Sequence, residues 1–147
     1  MKLTNLINFL LEEEDYRGVH RAPGKTNGAP LWDVTKDVYP DDIYTLPVAT
    51  AARYYGASEA GDIPVMRMIR RYRDNPEGSV EIYRAVPDTK DIEEINPGDW
   101  VSIYRPYVVE HGEGALGGEY KVLSKTVMAK DLYTDGNSMY EWGWDPT

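Results

Sequence analysis

Three polar residues stand in strand-like segments of the sequence with apolar or aromatic neighbours on both sides: Arg84, Ser102 and Glu141. An arginine in that setting either keeps its guanidinium in water at a strand end or directs it at an anion, because the planar fork suits phosphate and carboxylate. Glu141 stands between Tyr140 and Trp142, and a carboxylate among large aromatic side chains needs either a partner or a function. Ser102 by itself favours a structural role, since serines are common in strands.

The composition excludes other kinds of reactive site. The chain contains no cysteine, so it has no disulfide, thiolate metal site or cysteine nucleophile. His20 and His111 are its two histidines. Two histidines cannot form a three-histidine metal site, and they provide few candidates for the histidine of a Ser-His-Asp triad. Residues 112–117 have the G-x-G-x-x-G spacing but precede a strand, so we do not interpret them as a dinucleotide-binding loop. We predict no metal.

The size and charge of the chain narrow the class of partner. Its 147 residues predict one domain over residues 1–147. Sixteen Lys and Arg against 25 Asp and Glu give a net charge of −9. An acidic surface repels phosphate backbones, which disfavours extensive nucleic-acid binding but leaves room for a small basic pocket.

Asn5 and Asn8 break the apolar stretch of residues 1–11, which predicts an amphipathic helix instead of a signal peptide or membrane span. We expect a cytoplasmic protein with no membrane partner.

Helical patterns fill the first half of the chain, interrupted by a long loop at residues 17–37. Residues 39–44 are predicted to form a turn that enters a short first helix, and two further helices are predicted over residues 48–55 and 62–73. Gly56 is expected to end the second of these, and Asp62 to cap the third. One face of the third helix is basic and is interpreted as solvated. Its residues are Arg67, Arg70, Arg71 and Arg73.

Strand patterns fill the second half. Alternating or β-rich segments predict strands over residues 79–86, 100–104, 120–128 and 139–144. Turns are predicted at residues 96–99, 117–118 and 135–137. Pro106 opens a short helix that extends to Glu110 and that Gly112 is expected to end. Helices followed by an antiparallel-leaning sheet are typical of the α+β class.

The order of five short segments resembles the ADP-ribosyltransferase superfamily, above all its small phage and prophage members. The segments are residues 82–87, 97–102, 107–112, 127–132 and 141–144. Residues 20–23, 30–33 and 39–44 are similar to the amino-terminal half of the same proteins. The resemblance implies a split β-sheet around an NAD cleft, with a catalytic triad of Arg, Ser and Glu on three strands.

The resemblance also assigns roles to residues of this chain. Arg84 is implied to hold an NAD phosphate and ribose, and Ser102 to support the cleft near the nicotinamide ribose. The family's Ser-Thr-Ser is replaced here by Val101, Ser102 and Ile103. Glu141 is implied to bind the ribose hydroxyl beside the bond that breaks. Its expected effect is to stabilise positive charge that develops on the sugar.

Further contacts with NAD are expected around this triad. Tyr104 or Tyr107 is implied to supply an aromatic face for the nicotinamide. His20 and Arg21, in the long loop, are candidates for a phosphate contact. Family members that modify arginine carry an acidic residue or Gln two positions before the catalytic Glu. Met139 occupies that position here, which disfavours an arginine acceptor.

We therefore expect an NAD-dependent mono-ADP-ribosyltransferase that uses NAD as co-substrate and modifies a host macromolecule. The acidic charge favours a protein acceptor over a nucleic acid. Such an enzyme would serve as a toxin, a phage take-over factor or a counter-defence protein. The loop of residues 133–140 would lie where the target docks. Two alternatives stay open: an NAD glycohydrolase, in which water replaces the acceptor, and an inactive binding or virion-associated protein of the same fold.

Overall fold

A computed structural model of the chain describes residues 21–147. The predicted amino-terminal helix and His20 lie outside these residues. The helices are α1 (Asp42–Thr45), α2 (Val48–Tyr55), α3 (Asp62–Arg71) and α4 (Arg105–Ala115). The strands are β1 (Ala29–Pro30), β2 (Ser79–Pro87), β3 (Trp100–Val101), β4 (Tyr120–Met128), β5 (Leu132–Thr134) and β6 (Trp142–Trp144). A 3-10 turn, Ala129–Asp131, connects β4 to β5.

Helices α2 and α3 pack on each other through their apolar faces and match the predicted segments closely. Helix α3 ends two residues before the predicted end, at Arg71. The prediction that Asp62 caps α3 is wrong, because Gly61 occupies the cap position and no side chain bonds there. The Asp62 carboxylate instead accepts hydrogen bonds from the loop that precedes the helix.

The basic face of α3 is only partly solvated. Arg67 and Arg71 are exposed, as predicted. Arg70 is not: its guanidinium donates hydrogen bonds to the carbonyl oxygens of Ile43, at 3.0 and 2.8 Å, and Leu46, at 2.6 Å. Arg70 therefore satisfies orphan carbonyls at the end of the short helix α1 and ties that helix to α3.

The strands form two antiparallel sheets, which confirms the predicted α+β class and the antiparallel pairing. The four-stranded sheet has the order β1-β5-β6-β3, and β2 pairs with β4 in a two-stranded sheet. A single bridge between Tyr83 and Ser102 joins the two sheets. Strands β1 and β5 were not predicted, because each has at most three residues and depends on its partner for hydrogen bonds.

Three predicted boundaries in the second half are wrong. Strand β3 stops at Val101, and β6 begins only at Trp142. Helix α4 continues through Gly112 to Ala115. A Cβ atom on Gly112 would lie 2.3 Å from the Tyr120 ring. Gly112 therefore allows β4 to pack closely against the helix, and it does not end the helix.

One apolar core is shared by helices α1 to α3 and the inner faces of both sheets. Its largest fully buried side chains include Trp142, Tyr140, Leu31, Met66 and Ile82. Within residues 21–147, no helix combines the length and the apolar character that a membrane span requires.

We predict that Gly143→Ala destabilises the fold, because β6 leaves no room for a side chain at that position. An added Cβ would lie 2.0 Å from the carbonyl oxygen of Pro23 and 2.9 Å from Cβ of Ala22. Overpacking of this kind costs about 1–3 kcal/mol. Urea unfolding followed by tryptophan fluorescence measures the loss. Gly24→Ala is the matched control, since its Cβ would meet only the flexible Asp145 side chain. An equal loss in both variants would contradict the explanation.

Candidate functional site

The register of the strands brings the backbones of the three predicted triad residues together. Val101 pairs with Trp142 at the end of the β3–β6 ladder, so Ser102 and Glu141 are the residues that directly adjoin this last pair. Ser102 is also bridged to Tyr83, the neighbour of Arg84. The three positions thus lie on adjacent segments at the junction of the two sheets.

The Arg84 side chain points into this junction. It lies on the same face of β2 as Val80 and Ile82, because side chains alternate along a strand. Only 4% of Arg84 is exposed. Its Nη1 donates a hydrogen bond to the carbonyl oxygen of Trp100 at 3.2 Å, and its Nε lies 3.8 Å from Oδ2 of the buried Asp99.

Asp99 is held by the predicted turn at residues 96–99. Its Oδ2 accepts a hydrogen bond from the backbone nitrogen of Asn96 at 2.8 Å. Gly98 has φ +91°, a left-handed conformation that glycine adopts without strain. Arg21 is exposed beside this turn, with Nη1 4.0 Å from the position that a Gly98 Cβ would take. Arg21 is thus near the Arg84–Asp99 pair.

Ser102 is buried, with 2% exposure, and its Oγ accepts a hydrogen bond from the backbone nitrogen of Tyr104 at 3.1 Å. This contact shapes the chain between β3 and α4.

Glu141 is half-buried and is bound by a tyrosine of α4. The Tyr107 hydroxyl donates a hydrogen bond to Oε2 of Glu141 at 2.6 Å. A bond from a hydroxyl to an ionised carboxylate is short and strong. The backbone nitrogen of Glu141 donates to the carbonyl oxygen of Ser138 at 3.3 Å, which fixes the chain just before β6.

Aromatic rings surround Tyr107. Its ring stacks on Tyr140 with centroids 4.7 Å apart and planes 14° apart. The ring of His111 meets it edge-on at 4.5 Å and 71°. Tyr104 lies 6.2 Å from Tyr140 in a tilted arrangement. The two tyrosines singled out in the sequence therefore belong to one aromatic cluster, which also contains Tyr140 and His111.

A cavity of about 140 Å³ opens against this cluster. Its walls come from the α2–α3 loop, the start of α4 and the segment before β6. The lining residues include Glu59, Gly61, Tyr104, Tyr107, Glu110, His111 and Tyr140. An apolar cavity of about 150 Å³ holds a benzene-sized molecule, so this one matches a single six-membered ring.

His111 contributes a neutral polar group to the cavity wall. Burial lowers the pKa of its imidazole from 6.5 to about 4, because burial disfavours the charged form. At neutral pH the ring therefore carries no charge. The carboxylates of Glu59, Glu110 and the nearby Glu141 make this region acidic.

A second and larger cavity, of about 490 Å³, lies at the β1 and β5 end of the four-stranded sheet. Its walls include Lys25, Trp32, Lys36 and Tyr133. The Lys36 ammonium stands 4.0 Å from the Trp32 ring centroid. Arg84, Ser102 and Glu141 line neither this cavity nor the smaller one, and Glu141 is connected to the smaller one through Tyr107.

The sequence did not indicate three residues of the site: Asp62, Asp99 and Tyr140. Asp62 had the signature of a helix cap, and Asp99 that of a turn residue. Tyr140 could have been found from its position beside Glu141. Among residues 21–147, no group of three or more His, Asp or Glu side chains is arranged to hold a metal ion.

We predict that Arg84→Ala destabilises the protein by about 3–5 kcal/mol, since removing one member of a buried charge pair exposes the other charge to an apolar environment. Urea unfolding provides the measurement. Arg71→Ala, which removes an exposed arginine, is the control and should change stability by about 0.5 kcal/mol or less. Equal effects of the two substitutions would show that Arg84 does not stabilise the sheet junction.

We predict that His111 makes stability fall with acidity. Its pKa of about 4 in the folded protein lies below the ordinary value of 6.5. Between these pH values the imidazole of the unfolded chain binds a proton and that of the folded protein does not. The contribution of His111 to the free energy of unfolding is therefore fully present above pH 6.5 and is lost as pH falls toward 4. The loss from this group amounts to about 2 kcal/mol between pH 7 and pH 5. In urea unfolding, His111→Gln should lose that part of the pH dependence. An unchanged dependence would be the contrary result.

The chain has no significant match among models of protein families, characterised proteins or solved structures. Its candidate site is therefore defined by the arrangement of its own residues. That arrangement combines a tyrosine-bound carboxylate, an aromatic cavity and a buried arginine at a sheet junction.

Proposed function

We propose that the protein is an NAD-dependent mono-ADP-ribosyltransferase. The observation that carries the proposal is the half-buried Glu141 carboxylate, which is bound at 2.6 Å by Tyr107, and Tyr107 lines a cavity of about 140 Å³ together with other aromatic rings. A carboxylate and a ring-sized aromatic cavity suit a substrate in which a planar ring leaves a sugar. The resemblance of the sequence to the superfamily supports the same assignment.

In the proposed reaction, the bond between the nicotinamide nitrogen and the ribose carbon breaks. Its electron pair leaves with nicotinamide, and the ribose gains oxocarbenium character. Glu141 stabilises the developing positive charge. A nucleophile of the acceptor then forms a bond to the same ribose carbon and releases its proton to solvent. The tyrosine rings provide the face on which the nicotinamide stacks, and they exclude water from it.

The pyrophosphate of NAD would be held at the sheet junction. Arg21 is exposed beside the turn at residues 96–99, and Arg84 lies next to Asp99. A direct contact between Arg84 and phosphate requires a phosphate oxygen to approach the guanidinium next to the Asp99 carboxylate. A guanidinium binds phosphate through two nitrogen donors, and Arg21 is exposed, whereas Arg84 is 4% exposed and its Nη1 already donates to Trp100.

We propose a host protein as the acceptor and the host cytoplasm as the place of action. The net charge of −9 disfavours nucleic acid. Met139 is 1% exposed, so the position that carries an acidic residue or Gln in arginine-directed family members offers no polar group to an acceptor. This favours an acceptor residue other than arginine. A toxin, a phage take-over factor and a counter-defence protein all fit this activity.

We predict that Glu141→Gln lowers nicotinamide release from NAD by about 100-fold or more, because the amide keeps the shape of the side chain but not its charge. NAD affinity, measured by calorimetry, should change by less than about threefold, because the substitution keeps the contacts that bind the ground state of NAD. Glu110→Gln is the control: it removes a carboxylate that lines the cavity, whereas Glu141 reaches the cavity only through Tyr107, and we expect nearly normal release. Normal release by Glu141→Gln would remove this residue from the reaction.

The acceptor is found with NAD labelled on its adenylate half. Label on a component of a host lysate, absent with Glu141→Gln, supports the transferase. Nicotinamide release without macromolecular label indicates a glycohydrolase. A protein that neither binds NAD nor releases nicotinamide would contradict the proposal and favour a binding role.

A further inference from the structure

We infer that Asp62 and Tyr140 are positioning residues for the Glu141 carboxylate and act on it through Tyr107. The inference rests on the proposed function for the role of Glu141. The contacts that carry it join the helical half of the molecule to the strand half, since Asp62 and Tyr140 are 78 residues apart in sequence.

The Asp62 carboxylate is a buried anchor, with the residue 6% exposed. Both of its oxygens accept the backbone N–H of Ala57, at 3.1 Å, and Oδ2 also accepts that of Glu59 at 3.1 Å. The Tyr140 hydroxyl donates to Oδ1 at 2.6 Å. A buried carboxylate with this many donors is held in one orientation, because each lost bond would leave charge unsatisfied.

Tyr140 is fixed by this anchor and in turn fixes Tyr107. Burial and the hydrogen bond to Asp62 raise the pKa of the Tyr140 hydroxyl, so that it remains a donor at neutral pH. The Tyr140 ring then forms a wall on which Tyr107 stacks at 4.7 Å. The His111 ring also contacts Tyr107, edge-on at 4.5 Å. Two ring contacts therefore hold Tyr107 with its hydroxyl on Oε2 of Glu141, at 2.6 Å.

Two glycines show how closely the backbone fits around this network. A Cβ on Gly56 would lie 2.3 Å from Oδ2 of Asp62. A Cβ on Gly61 would lie 3.0 Å from the Tyr140 hydroxyl oxygen and 2.5 Å from the Tyr104 ring. The distances of 2.3 and 2.5 Å are shorter than a Cβ atom tolerates, so both positions require glycine for their surroundings to keep this geometry.

A purely structural role and a positioning role differ in how substitutions combine. If the Tyr140 hydroxyl acts on Glu141 through Tyr107, its loss should matter little once the Tyr107 hydroxyl is gone. If the two hydroxyls act independently, their effects should multiply. The double-mutant cycle of Tyr140→Phe and Tyr107→Phe separates these cases, and both substitutions keep the stacked rings.

We expect each single variant to lower kcat for nicotinamide release about tenfold, with KM for NAD changed less than twofold. The double variant should resemble Tyr107→Phe alone. Tyr72→Phe is the matched control, since it removes a buried tyrosine hydroxyl that donates to the carbonyl oxygen of Ser79 at 2.6 Å, outside the site. We expect Tyr72→Phe to retain normal kcat. A double variant with the product of the two single losses would overturn the inference.

Asp62→Asn tests the anchor itself. It should lower kcat at least as much as Tyr140→Phe and should add little to Tyr107→Phe. If Asp62→Asn does not fold, the Tyr140→Phe cycle decides the question, because that substitution leaves the bonds from Asp62 to the loop intact. Normal kcat in folded Asp62→Asn would count against the inference.

A readout independent of activity separates failure of this inference from failure of the proposed function. In protein labelled with ¹³C at glutamate carboxyls, Glu141→Gln identifies the Glu141 signal. At fixed neutral pH, Tyr107→Phe and Tyr140→Phe should both shift that signal in the same direction, and Tyr72→Phe should not. An unmoved signal in Tyr140→Phe would overturn the inference whether or not the wild-type protein cleaves NAD. Shifted signals with an inactive wild-type protein would support the positioning and reject the proposed function.

Discussion

Two backbone hydrogen bonds between Tyr83 and Ser102, each 2.9 Å long, join the two sheets, and the arrangement of the site depends on them. They bring β2, which carries Arg84, against the segment that leads from β3 into α4. A slip of one residue would turn the buried face of β2, with Val80 and Ile82, toward solvent. The apolar core therefore enforces this register, and the register in turn keeps Ser102 and Glu141 beside the junction.

The helical half contributes to the site through a different kind of contact. Strand pairing places the backbone of Glu141, but it does not orient the side chain, which is reached by Tyr107 from α4. Tyr107 owes its own position to Tyr140, whose hydroxyl is bonded to Asp62 at the start of α3. The site thus lies where the helices and the four-stranded sheet share a core. Its polar groups are held by strand pairing on the sheet side and by hydrogen bonds from the helices on the other.

This construction suits chemistry that develops positive charge. Electrostatic interactions are stronger in a poorly solvated site than in water, and His111 adds no competing positive charge because its pKa lies near 4. The aromatic walls limit the cavity to about the volume of one ring. Under the proposed function, these features leave Glu141 to stabilise the ribose while the leaving ring is kept on the tyrosines. The arginines lie apart from that cavity, next to the turn at residues 96–99.

The sequence by itself determined the α+β class and the local elements whose signals lie within a few residues, such as α2 and β4, which the structure places at the predicted bounds. It also singled out Arg84, Ser102 and Glu141, because polar residues in apolar segments are visible without a fold, and the family resemblance added Tyr104 and Tyr107. Only the tertiary structure decided that β1 and β5 are strands and that Asp62 is an anchor instead of a cap. The reason is physical: a two- or three-residue strand exists only through its partner, and a carboxylate takes its role from donors that are distant in sequence.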